Sequence, residues 1–428
     1  MDRNGFLSAR NALRRRRGAR SLAAAVLAAA ALSLNSLALL PGRAETSAWI
    51  SSWTGSPQAP RGAIPASVSN RTIRQFVHLS IGGGKVRLRL SNELGIRPLL
   101  IGAASVAVAR ANSELVPATL RQLTFAGSRS VTIAPGAPAL SDPVELDAAP
   151  LSDLAVSLYL PAATELSTVH QTGLQTAYLS AAGDFTGSSE FPVVDKLVNR
   201  FFLTAVMVEP PSAARAVAIF GDSISDGTRS TIDANARWPD VLARRLKEAG
   251  LAIAVLNQGI SGNRVLSDGA GASGLARFER DVLSQPGVSH VVVFLGINDI
   301  GWPGTAIEPG ATVRTAEEII AGYKQLIERA HVRSIKAVGS PLVPFENALA
   351  GTPNQGYFTP EKEAKRLAVN KWIRTSGAFD AIIDFEPVLA DPLHPAALAR
   401  GYDSGDHLHP NDAGYKAMGE SIDLALFQ

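Results

Sequence analysis

Cysteine is absent from all 428 residues. That excludes disulfides, thiolate metal sites and a thiol nucleophile, and it leaves stability to packed cores. Export remains compatible with this, because only small domains depend on disulfides. Charge is sparse: Asp, Glu, Lys and Arg make up 18% of the chain against 46% hydrophobic residues, a balance that speaks for a folded globular protein and against disorder. Internal repeats are missing, low-complexity sequence is confined to the first 44 residues, and no cluster of His and carboxylates has metal-ligand spacing. The length exceeds what one core usually serves and implies two domains after any processed segment.

The first 44 residues stand apart. Arg10, Arg14, Arg15, Arg16, Arg17 and Arg20 precede an uncharged Ala/Leu-rich run from Ser21 to Leu40, and Gly42 and Ala44 put small residues at the two positions a signal peptidase reads. This is a signal peptide pattern, predicting a secreted or periplasmic protein that begins near Glu45 and has no stable membrane association after cleavage. An uncleaved anchor is the alternative, since about 20 apolar residues can span a bilayer. The arginine run leaves Sec and twin-arginine export both open. Without the leader the chain holds 33 basic and 37 acidic residues, a net charge of −4. The basic character of the whole sequence therefore belongs to the leader, and nothing argues for nucleic acid binding.

Two rhythms divide the remainder. From about Trp49 to Val208 apolar residues alternate with period two, as in Val86, Leu88 and Leu90 between Lys85, Arg87 and Arg89, or Leu154, Val156, Leu158 and Leu160 between Ala155, Ser157 and Tyr159. Such alternation marks strands with one buried face, and Gly82-Gly83-Gly84, Pro135-Gly136 and Ser141-Asp142-Pro143 punctuate them as turns. Residues 45–210 are accordingly expected to form an antiparallel, jelly-roll-like β-sandwich. The linker Glu209-Pro210-Pro211-Ser212 leads into residues 211–428, where the runs 216–220, 251–256, 290–295, 335–338 and 381–385 look like buried parallel strands. Helical patterns lie between them: Trp238, Val241, Leu242 and Leu246 share one face before Gly250, and Thr315 with Glu318 forms a capping box ahead of Ile319, Tyr323, Leu326 and Ile327. Alternating strands and helices predict an open α/β sheet covered on both faces.

Ligands of an open parallel sheet sit beyond the carboxyl ends of its strands. Polar clusters fall there in succession: Gly221-Asp222-Ser223 after the first strand, Gly259-Ile260-Ser261-Gly262-Asn263 after the second, and Gly296-Ile297-Asn298-Asp299 after the third. Asp406-His407-Leu408-His409-Pro410 follows the last strand, just before a helical pattern with Tyr415, Met418, Ile422 and Leu426 on one face.

Ser223, Gly262, Asn298 and His409, with Asp406 three residues before the histidine, resemble the four blocks of the SGNH (GDSL-type) hydrolase family, in order, over about residues 215–428. The name-giving leucine is replaced by Ile224. The resemblance implies a flavodoxin-like α/β fold and a serine ester hydrolase. Ser223 would attack, His409 would take its proton, and Asp406 would orient the imidazole. Pro410 would suit the first position of the final helix. The backbone N–H groups of Ser223 and Gly262 and the amide of Asn298 would form the oxyanion hole. This is not the G-x-S-x-G elbow, because Ser225 stands where its last glycine belongs. His407 competes with His409 as base, Asn298 could brace a loop instead, and Asp222 and Asp299 read as structural. Trp238 fits the core better than a substrate groove.

No cofactor is implied. The expected substrate is an acyl ester, with short groups such as acetyl on polysaccharide favoured by export, by the β-domain and by the family, some of whose carbohydrate esterases carry an N-terminal jelly roll. A general lipase or arylesterase, an acyltransferase to sugar acceptors, and a glycan-binding protein with an inactive hydrolase domain are the alternatives.

Overall fold

The structure, a computed structural model, describes residues 49–62 and 64–428. The predicted signal peptide lies outside the described residues. The N-terminal part is two antiparallel sheets face to face. One runs Ile50–Thr54, Leu203–Glu209, Gly83–Ser91, Val144–Ala148, with Pro138–Leu140 also paired to Gly83–Ser91; the other runs Val193–Leu197, Ala177–Ala182, Arg71–His78, Asp153–Leu160, Ala103–Val108, Arg121–Leu123. Val86, Leu88 and Leu90 from the first sheet and Leu154, Val156 and Leu158 from the second meet in one core, as their alternation predicts.

One strand departs from that pattern. Asp153–Leu160 is central in its sheet, and its outward Ala155 and Ser157 are buried as well. A second apolar cluster of Phe76, Ala107, Leu115, Ala155 and Tyr178 covers this outer face. Beside it the buried Arg74 donates from Nε to Ser157 Oγ at 2.9 Å and lies 4.3 Å from the Phe191 ring centre. Ala and Ser at these positions fit a covered face without announcing one.

The C-terminal part is a five-stranded parallel sheet in the order Ile253–Asn257, Arg215–Gly221, Val288–Phe294, Lys336–Gly339, Ala381–Ile382. Numbered along the chain this is 2-1-3-4-5, the flavodoxin-like arrangement. Helices Ala316–Val332 and Pro360–Thr375 pack on one face around Phe220, Phe278 and Tyr323, while Trp238–Glu248 and Asp412–Ser421 pack on the other around Trp238, Leu242 and Met418.

Thr315 caps its helix as expected, with Thr315 N donating to Glu318 Oε2 and Glu318 N donating to Thr315 Oγ1. Four expected boundaries move. The second strand begins at Ile253, because Leu251 N closes the preceding helix on Leu246 O after Gly250 turns at φ 70°. The fifth strand pairs only at Ala381–Ile382, since Phe385 already precedes the short helix Glu386–Leu389. Pro410 is not the first residue of the final helix: Asn411 is the cap, its side chain accepting from Gly414 N, and Pro410 bridges to Asp403. That helix ends at Ser421, leaving Leu426 in a separate 3-10 turn, Leu424–Phe427.

The two parts join along one edge of the parallel sheet. The strand Ile253–Asn257 has a parallel neighbour on one side only, and on the other the sandwich meets it: Val255 N donates to Ser80 Oγ at 3.1 Å and Thr54 Oγ1 donates to Asn257 O at 3.2 Å. The sandwich core runs on into Ala216, Ala254 and Leu256 without a break.

Candidate active site

The first strand delivers Gly221 and Asp222 to the carboxyl edge of the sheet. A Cβ at Gly221 would stand 2.1 Å from Ser225 Oγ and 2.6 Å from Phe294 O, so only glycine lets the chain turn there. Asp222 caps the short helix Ser223–Asp226 by accepting from Ile224 N at 3.1 Å. This turn sets Ser223 at the head of the helix, on the floor of a pocket.

His409 reaches the same pocket from the last loop. Ser223 Oγ lies 2.8 Å from His409 Nε2, and His409 Nδ1 lies 2.8 Å from Asp406 Oδ2. Asp406 also accepts from the backbone N–H groups of Leu408 at 3.1 Å and His409 at 2.9 Å, and from Arg229 Nε at 2.9 Å. Burial opposes its ionisation, but the bonds and charge of His409 and the bond from Arg229 outweigh burial and hold the carboxyl far below the ordinary range. Asp406 is thus acceptor only. Nδ1 must carry the proton, and the Nε2 lone pair is left to accept from the serine hydroxyl.

His407 is placed differently. It sits at φ 60°, largely exposed, with Nδ1 2.6 Å from Asp403 Oδ2, and only His409 bonds Ser223.

Ser223, Gly262 and Asn298, the three residues expected to supply the oxyanion donors, line the same pocket as His409. Neither the Ser223 nor the Gly262 backbone N–H has an acceptor among the described residues. Gly262 adopts φ 81°, which a side chain would strain. Asn298 is fixed by two bonds: Tyr357 Oη donates to its Oδ1 at 2.8 Å, and its Nδ2 donates to Asn263 O at 3.0 Å. These bonds decide which end of the amide is nitrogen, and the second Nδ2 hydrogen remains free for a ligand. Asp299 accepts from Val265 N at 2.7 Å and Leu266 N at 3.0 Å, tying the third cluster to the second; burial pushes its carboxyl up to about 6.

Four residues that sequence reasoning did not single out hold this arrangement together. Tyr357 orients Asn298 from a loop 59 positions away. Arg277, fully buried, donates to Gly221 O, Gln258 O and Asn263 Oδ1, so one guanidinium fastens the ends of the first two strands. Arg229 covers Asp406.

The fourth, His170, comes from the sandwich. Its Nδ1 lies 3.0 Å from Ser56 O and its Nε2 3.0 Å from Asp226 Oδ1, while Asp226 Oδ2 accepts from Ser261 N at 3.0 Å and Ser261 Oγ at 2.7 Å. Asp226 ends the nucleophile helix and Ser261 precedes Gly262. The sandwich therefore grips both sides of the site. His170 carried one signal, that the chain has only 7 histidines; Tyr357 and Arg277 carried none.

The pocket measures about 480 Å³. Trp302, Ile307, Leu349 and Leu408 form its apolar wall, and Arg61, Arg229, Arg264 and Glu308 stand among its polar residues. A nucleophile bonded to a base and a base bonded to an ionised carboxylate, in a pocket that also holds Gly262 and Asn298, can together perform acyl transfer.

The GDSL-like Lipase/Acylhydrolase family matches residues 219–417. This part of the chain is a GDSL-like acylhydrolase domain. With it the protein is a carboxylic ester hydrolase. No curated protein matches the chain. Among solved structures, an acetyl xylan esterase, AlAXEase, is 22% identical, covers 48% of this chain with 96% of its own and superposes with a TM-score of 0.36. The aryl esterase of M. smegmatis is 18% identical over 49% of this chain and 96% of its own, at a TM-score of 0.38. A GDSL-like lipase from Bacteroides thetaiotaomicron is 19% identical over 50% and 88%, at 0.36.

Proposed function

We propose that the protein is a secreted serine esterase that removes short acyl groups, acetyl foremost, from polysaccharide. The observation that carries the catalytic part is the unbroken hydrogen-bonded chain from Ser223 through His409 to Asp406. Ser223 Oγ attacks the ester carbonyl as its proton passes to His409 Nε2. Asp406 stabilises the imidazolium. The carbonyl oxygen, now negative, is received by Ser223 N–H, Gly262 N–H and Asn298 Nδ2. Collapse of the intermediate breaks the bond to the alkoxide, which leaves with the proton from His409. A water then loses its proton to His409, attacks the acyl-enzyme, and frees the acid and Ser223.

The polysaccharide part of the reading is supported by the leader-like first 44 residues and by the arginines and glutamate among the residues that line the pocket. Two measurements test the proposal. Ser223→Ala should abolish ester hydrolysis and labelling by a fluorophosphonate while leaving the melting transition in place; labelling at an unchanged rate removes Ser223 from the mechanism. A panel of acetylated oligosaccharides, aryl esters and triglycerides, run with and without a sugar acceptor, should show the highest kcat/KM on the acetylated oligosaccharides, with free acetate as product. The exported protein should begin near Glu45; recovery of the intact leader on a membrane-bound protein favours an anchor.

A further inference from the structure

The charges around the pocket run against those of the rest of the protein. Residues 45–428 carry 33 basic and 37 acidic side chains, yet the pocket is lined by three arginines, Arg61, Arg229 and Arg264, and by two carboxylates, Glu308 and Asp406. Both carboxylates are already engaged. Glu308 is paired with Arg264. Asp406 is shared by His409 and Arg229.

Arg61 is the residue left over. It belongs to the sandwich and reaches across to donate one terminal N–H to Gly269 O, and among the described residues it has no carboxylate partner. Glu308 and Arg264 both act on its charge, one favourably and one unfavourably, after burial as the main influence lowering its pKa. Two guanidiniums thus face one carboxylate, and one positive charge at the rim of the pocket is uncompensated.

Arg229 adds a second set of open donors. Its backbone is held at φ 76°, a region that costs a non-glycine residue of order 1–3 kcal/mol, by Tyr415 Oη on Thr228 O at 2.7 Å and by Thr231 N on Asp412 Oδ1 at 2.8 Å. Only Nε is committed, to Asp406, and the two terminal nitrogens have no acceptor among the described residues. The side chain is 57% exposed.

We infer that the ester substrate is an acidic carbohydrate, whose carboxylate docks on Arg61 at the rim while the acyl group enters toward Ser223. This deepens the polysaccharide reading above and rests on it. A guanidinium fork matches a carboxylate with two parallel N–H bonds. A single unmatched positive charge suits a monoanion, and Glu308 beside it disfavours the doubly charged phosphate. Arg229 lies next to the base that protonates the departing alcohol, so its free nitrogens serve hydroxyl and carboxylate oxygens on the alcohol side. With residues 45–428 net acidic, an uncompensated positive charge at the pocket also favours the approach of an anionic chain to it.

The test compares acetylated oligouronides with acetylated neutral oligosaccharides of equal length. The wild-type protein should prefer the oligouronide at least tenfold in kcat/KM, through KM and less so at high salt. Arg61→Gln should bring that ratio toward one and Arg61→Glu should invert it. Calorimetry with the deacetylated oligouronide reads the same contact without hydrolysis. Equal binding of acidic and neutral oligosaccharides, or equal binding to wild-type and Arg61→Glu, overturns the inference. Turnover of neutral 4-nitrophenyl acetate surviving in Ser223→Ala would instead overturn the serine mechanism.

Discussion

Tyr357→Phe isolates the orienting bond on the oxyanion hole. The change deletes one hydroxyl and keeps the ring, whose edge-on contacts with Trp302 and Phe345 hold the loop. What disappears is the 2.8 Å bond to Asn298 Oδ1. The amide is then oriented only by Nδ2 on Asn263 O, and its buried oxygen is left unsatisfied, at a cost of about 1–3 kcal/mol. Rotating the amide gives the oxygen no donor either: it sets Oδ1 against the Asn263 carbonyl and turns an acceptor toward the developing oxyanion. If orientation is worth about 1.4 kcal/mol in the transition state, kcat falls about tenfold with KM little changed. Asn298→Ala, which removes the donor, should cost about a hundredfold to a thousandfold in kcat. Because Tyr357 is argued to act through Asn298, adding Tyr357→Phe to Asn298→Ala should cost nothing further in kcat. Single-turnover kinetics on the four proteins, with melting curves beside them, decides the matter. A Tyr357→Phe penalty that persists undiminished in the Asn298→Ala background, or an effect on melting alone, refutes the reasoning.

Other changes probe the remaining parts. His409→Ala should lose activity nearly as completely as Ser223→Ala, since nucleophile and base act as a unit, whereas His407→Ala should retain most of it; the reverse order in a steady-state assay would reassign the base. His170→Ala removes the sandwich's hold on Asp226 and should lower kcat about tenfold, or about 1.4 kcal/mol, in the folded fraction measured by active-site titration; an unaltered kcat would leave that contact structural only. Asp222 is buried, and burial pushes its carboxyl up to about 7, with the Ile224 N–H opposing the shift. A folded-state value above the unfolded one of about 3.9 means that stability is fully present below pH 4 and is lost as pH rises from about 4 to 7. Asp222→Asn, which can still cap the helix, should therefore melt several degrees higher than wild type at pH 8 and show no such gain at pH 4, as read by calorimetry.

The parts of the site that sequence reasoning reached are those where chemistry restricts the residue type. A nucleophile, a base and its carboxylate must be Ser, His and Asp in a recognisable order, and the buried strands ahead of them carry unbroken apolar runs, so strand ends and clusters identify one another. The supporting residues obey no such restriction. Tyr357 and Arg277 act through one bond or a few to groups that only folding brings near, and any donor of the right reach would serve. The outer face of Asp153–Leu160 was illegible for a related reason: Ala155 and Ser157 suit water as well as a cover, and the residues that bury them come from separate strands. Pro410 was misplaced by two positions because Asn411 caps the helix and Asp412 begins it.

The edge strand Ile253–Asn257 bears on how the chain can be cut. Two of its outer backbone groups, Val255 N–H and Asn257 O, are bonded to Ser80 and Thr54 of the sandwich, and the apolar core passes through Ala254 and Leu256 into that sandwich. A hydrolase fragment beginning near residue 211 would uncover an apolar strand with unpaired donors, the kind of edge that recruits strands from other chains. Such a fragment is expected to aggregate and to lack His170 and Arg61, so in this protein the binding platform and the chemistry are inherited together.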